Sequence, residues 1–322
     1  MSILKMSFTG RRSLALTATA VAVALAATGC GGDSDSGAPA LPGNPGLGGD
    51  GVVAQSVYDA APVATDADIP AGSTMDAIRK RGYLSVGGSL DAPLLSQQNP
   101  VSGTIEGFDA DMAKLLAKYI TGKTEVKTTT IGTQTREAML QAKSVDVVFQ
   151  TYTITPQRAT QIAFAGPYLT SGLAVGVRKD DTSIKSVKDL AGKTVIVGAN
   201  TPAVTALPSA APGSKQIAFG TDPQALQALL QKRGDAYVQD FTLLASGAKA
   251  NPGMKVVGEP FTTEAYGIGL NREDAQFKEF VNKWLTKIQA DGTWAKVWEA
   301  TLGSVVEGGA PTPPALGSAD GS

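Results

Sequence analysis

One short stretch carries residue types at a spacing suited to holding an anion. Thr151, Thr153 and Thr155 alternate, Pro156 follows, and Arg158 comes two residues later. The apolar run before them (Val145, Val147, Val148, Phe149) reads as a buried strand, and Pro156 marks the start of a helix. Hydroxyls, open backbone N–H groups at a helix N-terminus and a planar guanidinium fork together make a seat for a carboxylate. On spacing alone a second reading stands beside this one: Arg158 is also placed as a solvated arginine in the first turn of a surface helix.

Two other places have related chemistry. Gly198-Ala199-Asn200-Thr201-Pro202 lies between a strand and a helix, so Thr201 and the neighbouring N–H groups can face an anion. Asp240 follows the strand-like run Ala236–Gln239 and precedes a helix, where it serves either as an N-cap or as an acceptor for a cation. Glu106, Asp109 and Asp111 open an amphipathic helix, where acidic residues complement the N-terminal partial charge, and we read them so rather than as metal ligands.

Composition narrows the chemistry further. The chain has no histidine and a single cysteine, Cys30. His-based triads, His general bases, His metal sites and thiolate clusters are therefore excluded, so binding is favoured over catalysis, with no metal and no cofactor expected. A net charge of −1 argues against nucleic acid as a partner.

The elements that must position these residues alternate between helical and strand patterns, which predicts an α/β fold. Strands are expected at 83–86, 125–130, 145–149, 173–177, 194–197, 215–219, 236–239, 255–257 and 266–270. Helices are expected at 75–81, 108–120, 135–142, after Pro202, at 222–231 with Asp222 as N-cap, and at 241–248. Two more are expected at 274–289 and 293–299.

The chain ends read differently. Lys5, Arg11 and Arg12 precede an apolar stretch from Leu14 to Ala27 that closes on Ala27-Thr28-Gly29-Cys30. This is the pattern of a secretory signal over residues 1–29. It resembles a bacterial lipobox, with Ala27 where leucine is usual, and the resemblance makes Cys30 the acylated anchor to the cell membrane. Cleavage there takes the net charge from −1 to −4. Residues 30–72 are expected to be a disordered tether, and 305–322 a disordered tail.

Taken in order, several stretches resemble the polar amino-acid-binding subgroup of bacterial extracellular solute-binding proteins, the capture components of ABC importers. They are IRKRGYLSVGGSLDAP, GFDADMAKLLAKYI, TREAMLQAKSVDVVFQTYTITPQRATQIAFAGPYLTSG, LAGKTVIVGANTPAV, ALQALLQKRGDAYVQD and FTTEAYGIGL. The resemblance implies two lobes joined by two crossover strands, a type 2 periplasmic-binding-protein-like fold. Lobe 1 would comprise residues 73–172 and 264–304, and lobe 2 residues 173–263, with crossovers near 173–177 and 260–267. It also implies roles. Arg158 would pair with a ligand α-carboxylate, aided by Thr153 and Thr201. Asp240 would accept from the α-ammonium, with the Thr151 carbonyl as second acceptor. Arg136 would either reach a side-chain carboxylate or form a salt bridge beside Glu137. Asp91, if turned inward, would favour an amide or amine. Relatives for acidic ligands often carry lysine where Ser89 stands, which leaves Arg136 alone to balance a second carboxylate. The expected ligand is glutamate or aspartate, with glutamine or asparagine next. The expected partners are a membrane ABC permease and the membrane itself, with the protein a monomer. Two alternatives are a dehydratase-type enzyme on the same scaffold, using an acid among Asp91, Glu106, Asp109 and Asp240, and a ligand sensor for a membrane kinase.

Overall fold

A computed structural model describes residues 51–322. The expected signal segment, Cys30 and the first part of the tether lie outside the described residues.

The fold is α/β, with two five-stranded sheets of the same plan. In the first, strands Val126–Thr130, Leu84–Gly88 and Val147–Val148 run parallel, and Glu264–Leu270 and Ala163–Ser171 continue the sheet antiparallel. In the second, Lys215–Phe219, Thr194–Gly198 and Ala236–Asp240 run parallel, followed antiparallel by Leu173–Arg178 and Met254–Val257. A small antiparallel sheet (Asp91–Ala92, Ser96–Gln98, Ile105–Glu106) flanks the first. Parallel strands need crossover helices, and these cover the sheets with their apolar faces inward. Helix Phe108–Thr121 buries Met112, Leu115, Leu116 and Ile120, and helix Ala275–Ala290 buries Phe277, Val281, Trp284 and Ile288. Each sheet thus has its own core, so the molecule has two lobes.

The chain passes between the lobes at two places that touch. Ser171, Gly172 and Leu173 make the first passage; the segment between Val257 and Glu264 makes the second. Leu173 N–H donates to Thr262 Oγ1 at 2.8 Å, and Phe261 N–H donates to Leu173 O at 2.8 Å. A side chain on Gly172 would bring Cβ within 2.0 Å of the Thr262 carbonyl oxygen, so only glycine permits this approach.

Four expectations are corrected. The tether does not run to residue 72. Val53, Tyr58, Ala61, Ala64 and Ile69 are buried in the first lobe's core, with a helix at Gln55–Ala60. The Gly-, Pro- and Ser-rich composition stops near residue 51, and the apolar residues beyond it have a surface to cover. The tail has no helix or strand beyond Ser304, yet Val306, Ala310 and Leu316 pack on the same core, and Gly317 N–H donates to Gly166 O at 3.0 Å. Asp222 is not the N-cap of its helix. Thr221 holds that position, and the Asp222 carboxylate accepts from the Tyr237 hydroxyl instead. Finally, Asp109 and Asp111 do more than complement a helix dipole: they are 2% and 1% exposed and are held by specific donors.

Candidate functional site

In open α/β sheets, ligands gather at the carboxyl ends of the strands. Here the carboxyl ends of three parallel strands from each sheet face one cleft. Past Gly88 come Ser89 and Asp91, past Thr130 come Ile131 and Thr133, and past Val148 come Gln150 and Thr151. From the other lobe, Thr201 follows Gly198, Asp222 follows Phe219, and Asp240 ends its own strand. These residues, with Arg136, Thr153 and Arg158, line one cavity of ≈ 80 Å³. Every binding residue expected from the sequence (Arg158, Thr153, Thr151, Asp240, Thr201, Arg136, Asp91) is on its wall.

The Arg158 helix, Pro156–Ala159, starts as its sequence dictates. Thr155 Oγ1 accepts from Arg158 N–H at 3.2 Å, and Pro156 occupies the first turn. The Arg158 side chain is buried, not solvated, at 7% exposure. Nη1 donates to Thr153 O at 2.6 Å and Nη2 to Asn200 O of the other lobe at 2.7 Å. Each terminal nitrogen carries two hydrogens, so one on each is left for a ligand. Nε lies 3.8 Å from Glu137 Oε1.

Arg136, 3% exposed, lies with Arg158 against the Tyr152 ring, the two guanidinium carbons 4.1 and 5.0 Å from its centroid. Its Nη1 donates to Gln150 O at 3.3 Å, and its Nε has no hydrogen-bond partner. Glu137 is the neighbour of Arg158, so the salt bridge considered for Arg136 does not form. Burial, and then the charge of Arg158, push the Arg136 guanidinium down to about 10.

The strand-end threonines have tasks the sequence did not reveal. Thr151 adopts a positive φ of 42°, and its N–H donates to Asp109 Oδ2 at 2.8 Å. Asp109 Oδ1 accepts from the Tyr168 hydroxyl at 2.6 Å, and burial pushes this carboxyl up to about 6. Thr153 Oγ1 donates to Glu264 Oε2 at 3.0 Å, so its proton is turned away from the cavity. Thr201 Oγ1 donates to Gly198 O at 2.7 Å, which leaves its backbone N–H and its hydroxyl lone pairs for other contacts.

Asp240 occupies the N-cap position of helix Phe241–Ala250 without a capping bond from its side chain. It is 4% exposed, and Oδ1 has no hydrogen-bond partner. Burial and the adjacent Glu264 carboxylate push the Asp240 carboxyl well above the usual range. Glu264 is the principal residue missed by sequence reasoning. It sits in an unremarkable Thr-Thr-Glu-Ala run, and only strand pairing brings it to Asp240. Asp91 is exposed at the rim, bonded to Ser89 Oγ at 3.1 Å, and Asp222 stands across from it on the other lobe. Burial, with the nearby Asp91 charge, pushes Asp222 up to about 6.

The lobes touch across the cleft. Besides the Arg158–Asn200 bond, Thr133 Oγ1 donates to Ala199 O at 2.7 Å and Asn200 Nδ2 donates to Thr133 O at 3.0 Å. Asn200 adopts a φ of 56°, a conformation asparagine tolerates better than most residues. No cluster of three or more potential metal ligands occurs among the described residues. Nor is any helix among them long and apolar enough to cross a membrane.

Comparison with known proteins agrees with this architecture. The chain is 37% identical over 209 residues to a glutamine-binding protein of Geobacillus stearothermophilus, covering 64% of this chain and 79% of that one. It is 32% identical over 260 residues to a glutamate-binding protein of Corynebacterium glutamicum, covering 76% and 88%. The crystal structure of a cysteine-binding protein from Campylobacter jejuni superimposes with a TM-score of 0.67 at 29% identity, covering 72% of this chain and 94% of that one. A family model matches residues 84–303, and the chain belongs to the bacterial extracellular solute-binding proteins, family 3.

Proposed function

We propose that the protein captures a polar amino acid outside the cell and delivers it to a membrane ABC permease, with glutamate or aspartate the favoured ligand. Arg158 takes the α-carboxylate with its two remaining hydrogens, joined by the Thr201 N–H. Asp240 takes the α-ammonium, together with the Thr151 carbonyl, which accepts no hydrogen bond among the described residues. The observation that carries the choice of ligand is Arg136. It is a buried guanidinium on the cavity wall, with an unpartnered Nε and no carboxylate within ion-pair distance among the described residues. A buried charge is costly until paired, and a side-chain carboxylate supplies the partner.

Glutamine or asparagine is the second reading, favoured by the acidic residues Asp91 and Asp222 on the cavity wall, which would accept from an amide. A thermal-shift panel separates the two, because a bound ligand raises the melting midpoint by mass action. The largest rise is expected with glutamate or aspartate. A larger rise with the amides would reverse the order, and no rise with any of the four would remove both readings.

Binding rather than turnover is the reading for the acids near the cavity. Both oxygens of Asp109 accept, from Thr151 and Tyr168, and Asp240 is assigned to the ligand's ammonium, so neither is left as a dedicated general acid. A lipid anchor at Cys30 would keep the monomer at the membrane. Release of a Cys30→Ser form into the medium would support this, and its retention in the membrane fraction would argue against it.

A further inference from the structure

Asp240 belongs to the second lobe and Glu264 to the first, yet both sit at the pivot. Asp240 pairs with Leu173 in one sheet, and Glu264 pairs with Ser171 in the other. The two acids therefore stand opposite the residues on either side of Gly172, where the chain crosses. A hinge turning about Gly172 moves the lobe tips far and this pair little. Both carboxylates are buried, at 4% and 6% exposure, and neither has a lysine or arginine within ion-pair distance among the described residues. Glu264 receives the Thr153 hydroxyl at 3.0 Å and the Thr262 hydroxyl at 3.5 Å, while Asp240 Oδ1 has no partner.

Two buried like charges at neighbouring positions are relieved either by a proton held between them or by a cation brought to them. We propose that the Asp240–Glu264 pair is an exchange seat: it holds one proton while the cavity is empty and gives it to solvent when the ligand's ammonium arrives. This rests on the amino-acid reading above and adds Glu264 as a positioning residue that acts through Asp240. The groups facing the pair agree with it. Arg158 and Arg136 lie farther off and favour the charged form of Asp240. Tyr168, Tyr237 and Tyr266 surround it as neutral phenols, their hydroxyls pushed up well above the ordinary value first by burial. Desolvation and the second carboxylate outweigh the distant cations and raise Asp240, the direction that favours a held proton.

The test is calorimetric titration of the full chain with glutamine and with glutamate at neutral pH, in phosphate and in Tris, whose ionisation enthalpies differ. About one proton released per ligand is expected, seen as a buffer-dependent enthalpy. In Glu264→Gln the release should fall by more than about half, since a single carboxylate no longer needs the shared proton. Equal enthalpies in both buffers for the wild-type chain would overturn the proposal without any variant being made. Full release retained by Glu264→Gln would overturn the pairing. Absence of binding heat with either amino acid would overturn the capture reading itself, a different failure from binding without proton exchange.

Discussion

Arg158 Nη2 donates to the carbonyl oxygen of Asn200, 2.7 Å away in the opposite lobe. The guanidinium that we propose takes a ligand's carboxylate is therefore also one of the groups that bridges the two lobes. In the proposed function ligand capture and closure share a residue, and a ligand shifts the lobes together only through contacts that differ between the open and closed forms.

Closure can be weakened at a cavity-wall residue that is assigned no ligand contact. Thr133 Oγ1 donates to Ala199 O across the cleft. Thr133→Val removes that bond, at about 0.5–1.5 kcal/mol, and the loss should appear as a roughly 2- to 10-fold weaker ligand affinity. Calorimetry checks it; an unchanged affinity would show that this bond does not favour the closed form.

Arg136→Gln tests ligand choice. With the unpaired guanidinium gone, glutamate should lose about 2–5 kcal/mol of binding while glutamine loses far less. Competition between the two ligands on the variant measures the ratio directly. Equal losses would mean that Arg136 supports the cavity wall and does not read the side chain.

Gly172→Ala places Cβ against the Thr262 carbonyl oxygen. The two passages between the lobes must then separate, at a cost of about 1–3 kcal/mol. A lower melting midpoint is expected, with an altered radius of gyration by solution scattering. A variant with the parent's midpoint and dimensions would show that the hinge is not tight.

Asp109 gives a signed pH dependence. Burial raises its carboxyl from 3.8 to about 6, so the folded state takes up this proton before the unfolded state does. Its contribution to stability therefore grows as pH falls from about 6 toward 3.8, by on the order of 3 kcal/mol in total. Between neutral pH and about pH 5, the wild-type chain should gain urea resistance relative to Asp109→Asn. Parallel curves for the two proteins would contradict this.

The site's outline was legible because its chemistry is local. Thr155, Pro156 and Arg158 form a cap and a first helical turn within a few residues, and Asp240 and Thr201 follow strands that were visible as apolar runs. What escaped was non-local. Glu264 is brought beside Asp240 only by its pairing with Ser171, far away in sequence. Asp109 reads as an ordinary first-turn acid until Tyr168 and Thr151 are brought onto it by the sheet. Strand Ala163–Ser171 was hidden because Gly166 and Pro167 interrupt its pattern. The segment at 53–69 and the tail after Ser304 were misjudged for a related reason: scattered apolar residues in weakly patterned sequence pack well when a formed lobe offers them a face.

The central claim is that Arg158 and Asp240, one from each lobe, grip the two ends of an amino acid. Calorimetric titration of glutamate into the wild-type chain and into Arg158→Ala, each checked for fold by circular dichroism, tests it most directly. The account predicts one-to-one binding by the wild-type chain and a loss of about 30-fold or more in the folded variant. Undiminished affinity in Arg158→Ala would contradict it.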